Sequence, residues 1–164
     1  MERRIDKINY YLDIAETVLT RSTCIRRAFG AVIVKNDEIV STGYNGAPRG
    51  RENCNDTNKC IRLAMDIPRG QRYELCCSVH AEANAIISAS RADMIDSSLF
   101  LVGIEKSTKN YVQNAECCAM CKRLVINAGI KEVYCRLNTE EYIRFDVKND
   151  WVNNWDKEFD IKGY

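Results

Sequence analysis

Two short motifs bring together the residue types that bind a catalytic metal ion. One is His80-Ala81-Glu82 and the other is Cys118-Ala119-Met120-Cys121. Cys118 and Cys121 are three residues apart, so both thiols would face one side of a helix that begins there. His80 is the single histidine of the chain, and any site that requires an imidazole must use it. Two thiolates, one imidazole and an open fourth position are typical of a catalytic zinc ion rather than a structural one.

Glu82 is the candidate general acid and base of this site. Zinc can lower the pKa of a bound water to about 7, and a nearby carboxylate can then take its proton. On a regular helix the His80 and Glu82 side chains would diverge, but they converge on one cleft if His80 lies in the turn that enters the helix. The same residues also have structural interpretations: a core histidine, a helix-capping carboxylate, and a redox-active or structural C-x-x-C pair. The joint pattern of His80, Glu82 and the two cysteines favours a catalytic zinc site over these structural interpretations.

Helix-like and strand-like periodicities surround the two motifs and indicate which elements position them. Helices are predicted over residues 6–20, 81–90 and 119–128. Strands are predicted over residues 30–34, 39–44, 98–102 and 131–135, the first two joined by a turn at Asn36-Asp37. Each metal-binding motif therefore opens a helix. The alternation of strand and helix after residue 80 predicts an α/β fold with a partly parallel sheet.

The segment from Asn45 to Gln71 is the least regular part of the chain. It contains both prolines, and one helical turn is predicted near residues 61–65. A loop of this length inside a compact domain usually has a function or is held in place by other groups. Farther along, spaced aromatic and apolar residues between 139 and 160 predict a terminal helix that packs on the core.

Composition and charge narrow the classes of function. The 164 residues fit a single domain, 1–164. The net charge is +1, without the basic excess of a protein that binds duplex nucleic acid. No stretch approaches the roughly 20 apolar residues that span a membrane, and the charged N-terminus does not predict a secretory signal. We therefore expect a cytoplasmic protein with reduced thiols, in which nine cysteines favour metal binding over a disulfide framework.

The two motifs together resemble the zinc-dependent cytidine/deoxycytidylate deaminase superfamily. Three longer segments resemble its deoxycytidylate (dCMP) deaminase branch, and the likeness covers about residues 5–136. The segments are Ser41-Thr-Gly-Tyr-Asn-Gly-Ala-Pro-Arg-Gly50, Ser78-Val-His-Ala-Glu-Ala-Asn-Ala-Ile86 and Cys121-Lys-Arg-Leu-Val-Ile-Asn-Ala-Gly-Ile130. One departure is Cys117, which stands where the family usually has proline before C-x-x-C. We predict that Cys117 is not a zinc ligand.

The resemblance implies a cytidine-deaminase-like three-layer α/β/α sandwich with a mixed five-stranded sheet. Its core would span about residues 5–136, followed by a helical extension over about 139–160. It also implies that His80, Cys118 and Cys121 hold zinc and that Glu82 moves the protons while dCMP is hydrolysed to dUMP and ammonia. Family members often form hexamers regulated by dCTP and dTTP, so a homo-oligomer and these two effectors are expected from the resemblance.

Contacts to the nucleotide are predicted less directly. By resemblance, Asn45 would hydrogen-bond the sugar hydroxyl. Arginines are candidates for the phosphate because a guanidinium matches it with two parallel hydrogen bonds, although most surface arginines are simply solvated. The candidate substrate contacts are Asn45, Ala81, Arg26, Arg49 and Tyr134, and the candidate subunit or effector contact is Arg91. Further candidates are Arg27 and Arg51 for phosphate and Tyr44 for stacking.

Four other cysteines form a second group in or near the irregular segment. Some dCMP deaminases carry an additional structural zinc, with ligands at positions resembling Cys24 and Cys54. We therefore predict a second, closed tetrahedral zinc held by Cys24, Cys54, Cys60 and Cys76. The alternative is four small buried residues, and Cys77 and Cys135 stay unassigned.

Two alternative functions remain open at this point. One is deamination of another free base, nucleoside or nucleotide, which a substrate panel would distinguish. The other is a non-catalytic module that binds zinc or nucleotides. Glu82 argues against the second alternative, because a purely structural zinc site does not need that carboxylate.

Overall fold

A five-stranded mixed sheet forms the centre of the structure, a computed structural model that describes residues 3–155. The strands are β1 Arg27–Lys35, β2 Glu38–Tyr44, β3 Ser98–Glu105, β4 Glu132–Arg136 and β5 Tyr142–Asp146. Their order across the sheet is β2-β1-β3-β4-β5. Strands β3 and β4 run parallel, and the other three neighbouring pairs run antiparallel. The predicted mixed five-stranded sheet is confirmed.

Six α-helices accompany the sheet within residues 3–155. They are α1 Lys7–Leu19, α2 Cys54–Thr57, α3 Ile61–Ala64, α4 Ala81–Ile87, α5 Arg91–Met94 and α6 Ala119–Ala128. The three predicted helices correspond to α1, α4 and α6, and the predicted single turn is α3. Helices α2 and α5 were not predicted, because one turn is too short to show a periodicity. None of the helices in this range combines the length and apolar character that a membrane span requires.

The sheet is covered on both faces, which confirms the α/β/α sandwich. Side chains of successive strand residues point to opposite faces. Thus Val32 of β1 packs with Leu12 and Ala15 of α1 on one face. Its neighbour Ile33 joins Val125 of α6 and the start of α4 on the other face. The second face carries both predicted metal-binding motifs.

Two glycines allow the helices to lie unusually close to the sheet. A Cβ atom added to Gly30 of β1 would lie 2.1 Å from the backbone oxygen of Ala15 in α1. A Cβ atom added to Gly43 of β2 would lie 2.2 Å from the backbone oxygen of Ala81 in α4. Both distances are far inside van der Waals contact, so only glycine fits at these positions without moving a helix.

The prediction of one terminal helix over 139–160 is wrong at residues 142–146, which form strand β5. Residues 142–146 pair with β4, and Arg144 reinforces the pairing with an ion pair to Glu132 at 2.6 Å. A six-residue π-helix, Val147–Val152, follows this strand directly. Residues 156–160 of the predicted helix lie outside the described residues.

Candidate active site

Both metal-binding motifs lie at the N-termini of neighbouring helices. His80 is the N-cap residue of α4 and Cys118 is the N-cap residue of α6, each with an extended backbone (ψ 153° and 164°). The two helices pack on the same face of the sheet. Residues that are 38 positions apart in sequence are thereby brought to one place. The partial positive charge of helix N-termini favours thiolate ligands there.

The three predicted ligands form a compact group. The Sγ atoms of Cys118 and Cys121 each lie 3.4 Å from Nδ1 of His80, and all three atoms lie within 4.8 Å of one another. Tetrahedral zinc, with bonds of about 2.3 Å to sulfur and 2.0 Å to nitrogen, would place sulfur and nitrogen roughly 3.6 Å apart. The donor set and its spacing therefore fit a zinc ion. Within residues 3–155 this is the one group of three histidine, cysteine or acidic ligand atoms that lies so close together.

Mutual hydrogen bonds set the protonation of this group. The hydrogen bond with Cys121 lowers the pKa of Cys118, and the same interaction raises the pKa of Cys121. Burial acts to lower the pKa of His80, but the hydrogen bond with Cys118 and the charge of Glu82 outweigh it and raise that pKa. One thiolate is therefore favoured before any metal binds, and zinc would displace the remaining protons.

Glu82 faces the same space as the ligands. It is the second residue of α4 and is only 5% exposed. Because His80 has an extended backbone, both side chains reach the cavity that Cys118 also lines. Burial raises the pKa of Glu82, and the Cys117 thiol donates a hydrogen bond to its carboxylate. Cys117 is thus a buried neighbour of the candidate general base and lies outside the group of three ligand atoms.

A cavity of about 900 Å³ opens onto this group. Its size lies within the range of about 300–1,000 Å³ that is typical of small-molecule sites. Guanidinium groups are concentrated around it, which suits an anionic ligand and phosphate in particular. The arginines that line the cavity are Arg26, Arg27, Arg62, Arg69, Arg72 and Arg123.

Sequence reasoning selected Arg26 and Arg27 but missed the other four arginines of the cavity. Arg62 is only 4% exposed, and it donates hydrogen bonds to the backbone oxygens of Pro68 and Gln71. It therefore holds the irregular segment together at the cavity wall. The available signal was the density of arginines, five between residues 49 and 72, in a chain that is otherwise nearly neutral.

Three of the five predicted substrate contacts line the cavity: Asn45, Ala81 and Arg26. The Asn45 amide is largely engaged within the protein. Its Oδ1 atom accepts hydrogen bonds from Ser22 Oγ at 2.6 Å and from the Phe29 backbone N–H at 2.8 Å, and its Nδ2 atom donates to the Arg27 backbone oxygen at 2.9 Å. One N–H of that amide is left for a ligand.

The other two predicted substrate contacts lie elsewhere. Tyr134 faces the α1 side of the sheet, where its ring stacks on Phe100 at 5.1 Å, so the predicted contact is wrong. The reason is the alternation along β4, which directs Val133 and Cys135 toward the metal-binding face and Tyr134 away from it. Arg49 is exposed and is not part of the cavity lining. Arg91 bonds the Asn127 backbone oxygen at 3.1 Å, and its predicted subunit or effector contact stays a prediction.

The second cysteine group is arranged differently from the predicted one. The Sγ atoms of Cys54 and Cys77 lie 3.2 Å apart. Burial raises the pKa of Cys54 to about 12, and the neighbouring thiols of Cys77, Cys24 and Cys76 add to this rise. Cys60 lines the large cavity together with Cys24 and Cys76. Cys77, which the sequence left unassigned, is therefore part of this cluster, while no three of its thiols lie as close together as the catalytic ligands.

The fold and the site together define a zinc-binding α/β protein of the cytidine-deaminase type. A family model described as the cytidine and deoxycytidylate deaminase zinc-binding region matches residues 5–137. The chain belongs to this family.

Relatives and solved structures agree with this membership. The deoxycytidylate deaminase of Mycobacterium phage D29 is 35% identical over 134 residues, which cover 79% of this chain and 94% of the relative. That of Schizosaccharomyces pombe is 31% identical over 125 residues, or 76% of this chain, but the match spans only 35% of the relative's length. The crystal structure of the cyanophage S-TIM5 dCMP deaminase with dCMP and dUMP superposes with a TM-score of 0.54 at 25% identity, over 82% of this chain and 84% of that one.

Proposed function

We propose that this protein hydrolyses dCMP to dUMP and ammonia. The observation that carries the proposal is the convergence of His80, Cys118 and Cys121 with the buried Glu82 on one arginine-lined cavity. The relatives named deoxycytidylate deaminase support dCMP as the substrate. No membrane or duplex nucleic acid is needed in this scheme, because the substrate is a single nucleotide.

The protein's own groups would divide the reaction between them. His80, Cys118 and Cys121 would hold a zinc ion, whose Lewis acidity would let water act as a nucleophile near neutral pH. Glu82 accepts a proton from the attacking water and delivers it to ring N3 as oxygen bonds to C4. Glu82 then takes the remaining proton from the oxygen that is now bonded to C4 and passes it to the amino group, which leaves as ammonia. Water is consumed and no other reactant is required.

Arg26 is the arginine best suited to hold the substrate's phosphate. Arg27 is paired with Glu105 at 2.6 Å, and Arg72 is paired with Glu74 at 2.5 Å. In the described part of the chain, the guanidinium of Arg26 has neither a hydrogen bond nor an ion pair, although it lines the cavity. It can therefore bind phosphate without breaking an existing interaction.

The experiment is ammonia release from a panel of nucleotides by the zinc-loaded protein. We expect turnover of dCMP, and a kcat/KM for deoxycytidine roughly 100-fold lower, because two charged hydrogen bonds to phosphate would be lost. Equal activity on deoxycytidine or a guanine compound would favour the other deaminases. Stoichiometric zinc without ammonia from any compound would favour a non-catalytic module.

We also propose a second, structural zinc at the cluster of Cys24, Cys54 and Cys76. A closed site needs a fourth thiolate, which the predicted Cys60 or the neighbouring Cys77 would supply. A zinc ion there would tie Cys54 of α2, within the irregular segment that forms part of the cavity wall, to Cys24 just before β1 and to Cys76. Some movement of the segment is required, since within residues 3–155 no three of these thiols lie as close together as the catalytic ligands do.

Zinc quantification tests this second site. We expect about two zinc ions per wild-type chain and about one in Cys54→Ser, with the catalytic zinc retained. The matched pair Cys60→Ser and Cys77→Ser identifies the fourth ligand as the variant that loses an ion. About one zinc per chain in the wild type, unchanged in Cys54→Ser, would contradict a second site.

The family resemblance also supports a homo-oligomer that has dCTP and dTTP as effectors. Arg91 is the proposed subunit or effector contact. Arg91 is exposed on α5 and is not one of the residues that line the cavity. This position is compatible with a regulatory contact outside the catalytic site.

A further inference from the structure

The chain after β4 is fastened to the helix that carries two of the metal ligands. Trp151 of the π-helix is only 1% exposed, and its ring lies 5.7 Å from that of Phe145. The Lys122 ammonium of α6 lies 5.2 Å from the centre of the Trp151 ring. Asp146 caps the π-helix by accepting a hydrogen bond from the Asn149 backbone N–H at 2.9 Å. This anchoring fixes where the next residues can go.

Trp155 follows Trp151 by four residues and lines the large cavity. Met120 and Arg123 of α6 line it as well, whereas Trp151 does not. The family match ends at residue 137, so this part of the wall is contributed by a segment beyond the shared domain. Trp155 therefore lies outside the shared family domain.

The aromatic lining of the cavity points to a planar ligand. Among residues 3–155, three Phe, Tyr or Trp side chains line it: Phe29, Tyr73 and Trp155. The Tyr73 ring stands edge-on to His80, with centroids 5.1 Å apart and planes at 87°, and is thus committed to the metal-binding group. Phe29 packs close to Gly103 in the sheet. Trp155 is half-buried and has contacts of its own within the protein, and it lines the cavity from the side of the C-terminal segment.

We propose that Trp155 is a substrate-binding residue that packs its indole against the pyrimidine nucleotide in the cavity. This inference rests on the proposed function and adds a contact to it. Base–aromatic stacking has a large effect on affinity, and a bulky ring at the cavity wall also excludes water from the ligand. The C-terminal extension thereby completes a site that the shared domain leaves more open.

The first test is intrinsic fluorescence, because the chain contains only two tryptophans, and Trp151 does not line the cavity. Titration of the zinc-loaded protein with dUMP, which does not react further, should give a saturable change in emission. Trp155→Phe should abolish that change while still binding dUMP by calorimetry. A change that persists in Trp155→Phe would overturn the proposal, since only the buried Trp151 remains to report it.

The second test is steady-state kinetics with dCMP. Trp155→Ala should raise KM by roughly 10-fold with kcat altered by less than about 3-fold, and Trp155→Phe should recover most of the loss. The matched control is Val152→Ala, an exposed residue of the same segment that lies outside the cavity lining and should behave as wild type. Unchanged KM in Trp155→Ala would overturn the inference while the wild-type activity upholds the proposed function. Absence of wild-type turnover would instead refute the proposed function, and the dUMP titration would still decide whether Trp155 contacts a nucleotide.

Discussion

Glu82→Gln is expected to lower kcat for dCMP deamination by about 10²–10⁴-fold while zinc remains bound. The glutamine side chain has nearly the same shape, but it cannot accept the proton of the attacking water or deliver it to the ring. His80, Cys118 and Cys121 are untouched, so metal content should stay at the wild-type value. The measurements are ammonia release under saturating dCMP and zinc content of the same preparation.

Glu116→Gln is the matched control for Glu82→Gln. Glu116 also carries a carboxylate at the cavity, but this carboxylate is paired with Lys122 at 2.5 Å and has no part in the proposed proton transfer. We expect its kcat to fall by less than about 10-fold, because a glutamine at this position can still accept a hydrogen bond from the Lys122 ammonium. Near-normal turnover in Glu82→Gln, or an equal loss in both variants, would contradict the general acid and base assigned to Glu82.

The grouping of His80, Cys118 and Cys121 could be predicted from the sequence because its signals are local. An extended N-cap residue followed by a helix is encoded in a few neighbouring residues, and this applies to both His80 and Cys118. The spacing of Cys118 and Cys121 fixes their common helix face without any knowledge of the rest of the fold. What brings the two motifs together is the packing of α4 and α6 on one sheet face, and the alternation of strands and helices indicated that arrangement only in outline.

The wrong predictions share a physical cause. In each case the outcome depends on which face of the sheet a residue occupies, or on pairing with a strand that is distant in sequence. Tyr134 was placed at the substrate because its residue type suits stacking, but the register of β4 turns it toward α1. Residues 142–146 carry spaced aromatic and apolar side chains that fit a helix as well as a strand, and pairing with β4 decided the outcome. Cys77 lies in a segment without regular periodicity, and the aromatic spacing around Trp155 predicted a helix packed on the core, not a residue that lines the cavity.

Gly43→Ala is expected to displace α4 and to weaken the site as a whole. The added Cβ atom would lie 2.2 Å from the Ala81 backbone oxygen and 2.4 Å from the Ala85 backbone nitrogen. Backbone atoms cannot rotate away as a side chain can, so the helix that begins at His80 must shift relative to β2. Overpacking of this kind destabilises by about 3 kcal/mol, the upper part of the usual range.

Gly46→Ala is the matched control. Its added Cβ atom would lie 2.6 Å from the Thr23 hydroxyl oxygen. This side chain can rotate away, and the lost hydrogen bond would lower stability by about 1 kcal/mol. Urea unfolding gives the stability difference, and zinc content with dCMP turnover reports on the site. We expect Gly43→Ala to lose both zinc and turnover under conditions where the Gly46→Ala protein retains them. Since His80 and Glu82 are both carried by α4, a shift of this helix moves a metal ligand and the proton-transfer group together. Wild-type zinc affinity in Gly43→Ala would show that the close contact between β2 and α4 does not position the site.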